Sequence, residues 1–411
     1  MKKLYLEFVR GMAALFVLLF HITELYFSQS GSHGFSLSTL AADSVIIFFI
    51  LSGCVINISQ TRRPKQRLEF FVNRLIRIMP QFLLGIGLGV LALVLVGWAI
   101  PRYGVILGNI FMLSTLQGFI VNSMLGNTVV WSLSFEMFFY IVFTFSIGRN
   151  QKKFLRTWFA LSVLIIPFCY FPTHIGVIDH FVAMMAFSCI WLVGYYIYEY
   201  RNSFYADGYS AALSLGSLAI MSRVEFPWQW PGSDPSKHLL FALVAIPFFR
   251  FCLQTRPTGK KVPVALQVLV YLILSAALIL RKDSNLPTKA VCCALPLVLT
   301  AGYWLILRIN SKERVIVWVD RLGAVLGKYS YSLYIGHMPV LVVLAWFLRG
   351  HFLAYVLLSA AGISLLAWFM ESLYQPWVTG LLKQKSKNEQ KSLDGSPVAV
   401  PAGRPSVDDG A

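Results

Sequence analysis

MPQFLLGIGLGVLALVLVGWA, residues 79–99, runs for 21 residues without one charged side chain. A helix of that length rises about 30 Å, the thickness of a bilayer's hydrocarbon core. Lipid offers no partner to an exposed N–H or C=O, so the stretch reads as a membrane-spanning helix that satisfies its own backbone. The pattern recurs on both sides of it. Apolar runs near 5–27, 40–60, 128–148, 154–171, 180–198, 208–222, 238–251, 262–280, 290–307, 330–348 and 352–376 bring the expected count to twelve spans. Those at 208–222 and 238–251 are short, and ten spans remain if neither crosses. Residues 100–127, with Pro101, Gly104, Asn109, Gln117 and Asn122, read as an outer loop that partly re-enters the bilayer. The expected fold class is therefore all-α, a polytopic membrane helix bundle of about 10 to 12 spans with both termini in the cytoplasm.

Composition supports the same class. Apolar residues make up 57% of the 411, charged ones only 13%, and mean hydropathy is +0.68, outside the range of a soluble domain. The net charge of +17 would suggest nucleic acid in a soluble chain, but it sits in alternate loops. With Met1 inside, 27 of the 35 lysines and arginines fall on the cytoplasmic side, 7 on the other, and Arg10 lies within a span. That asymmetry is the positive-inside rule, and no nucleic-acid partner is expected. Six cysteines without C-x-x-C spacing point to buried thiols, and no metal site is expected. Arg10, His21 and Glu24 in the first apolar run argue against a removable signal peptide. Residues 1–382 form one expected membrane domain. Past Leu382 the chain turns polar, so 383–411 reads as a disordered cytoplasmic tail.

An ionisable group inside a span costs about 3 kcal/mol on insertion scales, so each one calls for a partner or a task. Arg10 and His21 are eleven residues apart, which puts them on one helix face with a rise of roughly 16 Å between them. Arg10 either snorkels to the headgroups or serves a path across the membrane, and His21 is either a structural hydrogen-bonding group or a functional one. Arg74 and Arg77, at i and i+3 before Pro80, lie side by side at an expected helix start. Paired guanidinium forks suit either a ligand's phosphates or anionic lipid headgroups. FFILSG, residues 48–53, ends in Ser52 and Gly53, a small pair that admits a neighbouring helix or a ligand. Glu136 sits in the aromatic segment WSLSFEMFFY and needs a cationic or hydrogen-bonding partner. His337 follows Tyr331 and Tyr334 at helical spacing and precedes Pro339, which is compatible with function or with packing.

Taken in order, these pieces resemble the acyltransferase family 3 membrane proteins, O-acyltransferases that modify bacterial surface and exported glycans. Arg10-Gly11 with ten residues before His21, FFILSG, Arg74-x-x-Arg77 before Pro80, WSLSFEMFFY and YSYSLYIGHMPV all match, across Leu4 to Trp377. Two features depart from the pattern. The polar or acidic residue that often precedes FF-x-x-SG in the family is replaced by the apolar Val45-Ile46-Ile47, with an acid earlier at Asp43; Glu371 and Pro376 are farther apart than usual.

The resemblance implies a multi-pass protein of the inner membrane, a cytosolic acetyl-CoA donor and a carbohydrate acceptor such as O-antigen or exopolysaccharide. On that basis Arg74 and Arg77 would hold the phosphates of CoA, with His337, Ser52 and Gly53 contributing to donor binding. Arg10 would bind the inserted donor or steady charge on the thioester oxygen. His21 would be the general base on the acceptor hydroxyl, or an acyl-histidine relay, with Glu136 orienting its ring. The competing expectation is a transporter or flippase, whose polar helix faces would line a translocation path.

Overall fold

The computed structural model describes residues 4–30, 38–224, 234–254, 257–281, 286–308, 312–382 and 384. The expected tail, 383–411, lies outside the described residues apart from Gln384. In chain order the helices are α1 (Leu4–Ser30), α2 (Ser38–Arg62), α3 (Arg67–Leu95), α4 (Tyr103–Ile110), α5 (Trp131–Ser146), α6 (Gln151–Leu164), α7 (Gly176–Glu199), α8 (Gly208–Arg223), α9 (Pro235–Val244), α10 (Ile246–Leu253), α11 (Val264–Leu280), α12 (Leu286–Arg308), α13 (Lys312–Phe347) and α14 (Phe352–Phe369). The fold is an all-α polytopic bundle. Among the described residues nine helices are long and apolar enough to cross a membrane, and α9 with α10, bent by 45° at their junction, makes a tenth if the pair is one span. α11, at 17 residues, is apolar but shorter, and α8 falls outside the set. Leu272 on α11, Leu297 on α12 and Leu365 on α14 are among the exposed large side chains, an outer surface that hydrocarbon covers without cost.

The middle of the bundle is aromatic. Phe49 on α2, Phe135, Phe139 and Phe143 on α5, and Phe187 and Trp191 on α7 are fully buried and meet edge to face or tilted. α1 lies along α13, with Gly11 and Gly327 at the closest approach. A Cβ on Gly11 would stand 2.3 Å from Leu326 Cβ, and one on Gly327 2.5 Å from Glu7 Cβ. The missing side chains let the two helices touch, which brings Arg10 up to α13.

Three spans differ from their sequence reading: two run through prolines, Pro80 and Pro376, that look like boundaries, and the third, α13, begins earlier than expected. α3 was expected to open near residue 79 but begins at Arg67 and continues through Pro80. Proline at position 80 deprives the Ile76 carbonyl of its usual donor. Gln375 supplies it, donating Nε2–H to Ile76 O at 2.8 Å. Arg74 and Arg77 therefore project from the helix interior rather than from its first turn. α13, expected from 330, runs 36 residues from Lys312 through Pro339. There the Ile335 carbonyl loses its donor, and Asn127 Nδ2 bonds it at 2.9 Å while also reaching Gly85 O at 3.1 Å. The last span does not end near 376: past α14 it passes through a π turn, Met370–Tyr374, and continues to Leu382.

Asn127→Ala strips both carbonyls of their donor at a fully buried position. The expected outcome is a loss of about 1–3 kcal/mol, read as a lower Tm of the detergent-solubilised protein. An unchanged Tm would mean that the two carbonyls find other partners.

Candidate active site

A cavity of about 200 Å³ opens among α1, α2, α3, α5 and α13. Chain direction orders its walls. α2 ends where α3 begins, so Ile56 and Val55 stand at the same end as Arg74 and Arg77, and α1 brings Arg10 to that end from its first turns. α5 and α13 continue the order: Tyr140 and Tyr331 lie beside the arginines, Ser132 and Tyr334 farther along, opposite Phe48 and Val45. One end of the cavity is thus basic and the other apolar.

The three arginines differ in what already occupies them. Arg10 Nη1 pairs with Glu7 Oε2 at 2.7 Å. Arg77 Nη1 pairs with Glu371 Oε1 at 2.8 Å and its guanidinium lies 5.6 Å from the Tyr331 ring centroid. The Glu371 carboxylate is fixed from its other side, where Gln81 Nε2 donates at 3.0 Å and Ser332 Oγ at 2.9 Å. Arg74 sits 5.6 Å from the Phe70 centroid and 5.9 Å from that of Tyr140, and its Nε is buried without a hydrogen-bond partner among the described residues. A buried donor left open in a pocket is what an incoming anion would complete.

Glu136 lines the same pocket. Its carboxylate accepts from Ser52 Oγ at 3.0 Å and from Tyr140 OH. Trp191 Nε1 in turn donates to Ser52 Oγ at 3.2 Å, so the hydroxyl is held from both sides. Tyr334 OH is tied to Ser132 Oγ at 2.7 Å and donates to Val129 O at 3.1 Å.

The histidines form a separate group one turn beyond. His337, the next residue on the Tyr334 face of α13, is fully buried, and its ring centroid lies 5.3 Å from that of His21. Its Nδ1 stands 3.1 Å from Leu333 O, and its Nε2 has no hydrogen-bond partner among the described residues. His21 Nδ1 lies 3.5 Å from Glu24 Oε2, one turn along α1. Arg10 and His21 share the α1 face that meets α13, but Arg10 lines the pocket while His21 lies outside it and meets His337.

Residues 3–371 match the acyltransferase family 3 model, described as "Acyltransferase domain". The chain belongs to acyltransferase family 3. It is also 29% identical over 238 residues to the exopolysaccharide production protein ExoZ of Rhizobium meliloti, across 54% of this chain and 70% of that protein. No solved structure matches it. The bundle is thus a multi-pass membrane acyltransferase, and its polar interior is where such an enzyme would work.

Several expected site residues take places the sequence did not indicate. Glu136 bonds Ser52 and Tyr140 rather than His21, and the carboxylate beside His21 is Glu24. His337 joins His21 instead of the arginines, because α13 carries it one turn past the pocket. Gly53 faces α7: a Cβ there would stand 2.0 Å from Trp191 O, so this glycine serves helix packing and does not line the pocket. Asp43 faces away from the pocket too, taking a bond from Ser222 Oγ and lying 3.8 Å from His238 Nδ1. Glu371, given no role from sequence, is the anchor of Arg77.

Proposed function

We propose that this acyltransferase moves an acyl group, acetyl before others, from cytosolic acyl-CoA to a carbohydrate hydroxyl at the far side of the inner membrane, with both termini inside. The observation that carries the reading is the alignment along α13 of a basic pocket containing the open Arg74 donor and, one turn beyond its apolar end, the His21 and His337 pair. The excess of basic residues in alternate loops supports a cytoplasmic location for the basic end. A carbohydrate acceptor agrees with the exopolysaccharide role printed for the Rhizobium relative.

In this mechanism Arg74 takes a CoA phosphate through charge-assisted bonds, with Arg77 and Arg10 adding positive charge beside it. Arg10 stands roughly 16 Å along the helix from His21, so it serves donor binding rather than steadying charge on the thioester oxygen when the acceptor hydroxyl attacks the carbonyl carbon. Glu136 balances the guanidinium charge and holds the Ser52 and Tyr140 hydroxyls. The pantetheine arm runs toward the apolar end and delivers the thioester to the histidines. There Glu24 draws the Nδ1–H of His21 and leaves its Nε2 lone pair as the base. The acceptor O–H gives its proton to Nε2, its oxygen bonds the thioester carbonyl carbon, and the C–S bond breaks to release the CoA thiolate.

The test is mass spectrometry of surface glycans from cells with the wild-type protein, without it, and with an inserted His21→Ala variant. An acyl mass increment present only with the wild type is expected. Identical glycans in all three, with a solute flux that depends on the protein, would replace this reading with transport.

A further inference from the structure

We propose that Phe48 and Tyr334 form the end wall of the donor pocket and set the length of acyl chain that the enzyme accepts. The inference rests on the donor reading above and goes beyond it by naming what selects the acyl group. If CoA is held at the basic end, its acyl end lies at the apolar end, where these two rings meet at 5.5 Å between centroids and 62° between planes. Behind them is the histidine pair: the Tyr334 centroid lies 6.1 Å from that of His337, and neither histidine lines the pocket. An acyl carbon must therefore come to this wall to be transferred, and any further carbons are pressed against it.

The two rings are not held alike. Tyr334 is buried, and its hydroxyl is pinned by Ser132 and the Val129 carbonyl, so its ring is fixed. Phe48 is half-buried and carries no polar atom to tie it. Its side-chain volume is the adjustable part of the wall, and a short acyl group fits against it where a longer one meets the ring. A hydrophobic pocket discriminates by about 10- to 200-fold for a change of one methylene, enough for one phenyl ring to separate short from medium chains.

The experiment is equilibrium binding of CoA, acetyl-CoA, butyryl-CoA and hexanoyl-CoA to the full-length detergent-solubilised protein, as wild type, Phe48→Ala and Phe48→Leu. The wild type is expected to bind acetyl-CoA more tightly than hexanoyl-CoA. Phe48→Ala should shift that ratio toward hexanoyl by about tenfold or more, and Phe48→Leu should shift it part of the way. CoA without an acyl group reports the basic end, and its affinity for each protein is the reference against which the acyl-chain preference is read. An unchanged ratio in a variant that still binds CoA overturns the wall and leaves the donor reading standing. Failure of the wild type to bind any CoA species overturns the donor reading, and the wall with it. If Phe48→Ala loses CoA binding through misfolding, the ratio in Phe48→Leu decides.

Discussion

His21→Ala is expected to lower the rate of acyl transfer by about 10²- to 10⁴-fold, the usual effect of removing a general base, while the protein inserts and folds as before. The expectation follows from how little else the ring does. Its side chain is 14% exposed, its polar neighbour is Glu24 at 3.5 Å, and it packs against the rings of Phe20 and His337. Loss of an imidazole at such a place costs modest stability, because no backbone carbonyl or buried charge is left behind. The check is CoA-thiol release from acetyl-CoA by membranes containing the acceptor glycan, with Tm followed in parallel. A rate within about threefold of wild type, a barrier change of about 0.65 kcal/mol where loss of a general base costs about 2.7 kcal/mol or more, would exclude His21 as the base. Glu24→Gln separates orientation from chemistry: it keeps the size of the side chain, weakens the hold on Nδ1–H, and should reduce kcat with little effect on the KM for acyl-CoA.

What could be read beforehand follows from the distance over which each feature acts. Spans were legible because hydropathy is a property of consecutive residues, and the stretch at 79–99 needs no partner to be recognised. Helix ends were not: Pro80 looks like a boundary, yet α3 runs through it because Gln375, 295 positions away, bonds the freed Ile76 carbonyl. No local rule pairs Gln375 with the Ile76 carbonyl. The same limit governed the site. Arg10 and His21 share one helix, so their common face followed from 100° per residue, and α13 does lie along it. Glu136 was the expected partner of His21, and the i, i+3 spacing of His21 and Glu24 was the signal in the sequence that pointed to the nearer carboxylate. Tyr140 also stands one turn from Glu136, a local pairing that the aromatic reading of WSLSFEMFFY concealed.

Arg74→Ala is expected to raise the KM for acyl-CoA by about 10- to 100-fold, the cost of one charge-assisted phosphate contact at roughly 1.5–3 kcal/mol, with a smaller change in kcat. Arg74 is a cleaner probe than its neighbour. Removing Arg77 takes away the ion pair on Glu371 and disturbs Gln81 and Ser332, which bond the same carboxylate, so a stability loss would accompany any loss of binding. Among the described residues Arg74 makes no ion pair, its guanidinium lies over the rings of Phe70 and Tyr140, and its Nε has no hydrogen-bond partner. Truncating it should therefore leave Tm nearly unchanged while removing a donor that only a ligand would use. Salt separates a phosphate contact from lost packing. Screening weakens an exposed ionic contact, so wild-type affinity should fall as salt rises, and it should fall less steeply in Arg74→Ala. Arg74→Lys keeps the charge without the planar fork, and recovery of only part of the affinity would show that directional bonding matters as well as charge. Equal KM values and equal salt slopes for wild type and Arg74→Ala would remove Arg74 from the donor site.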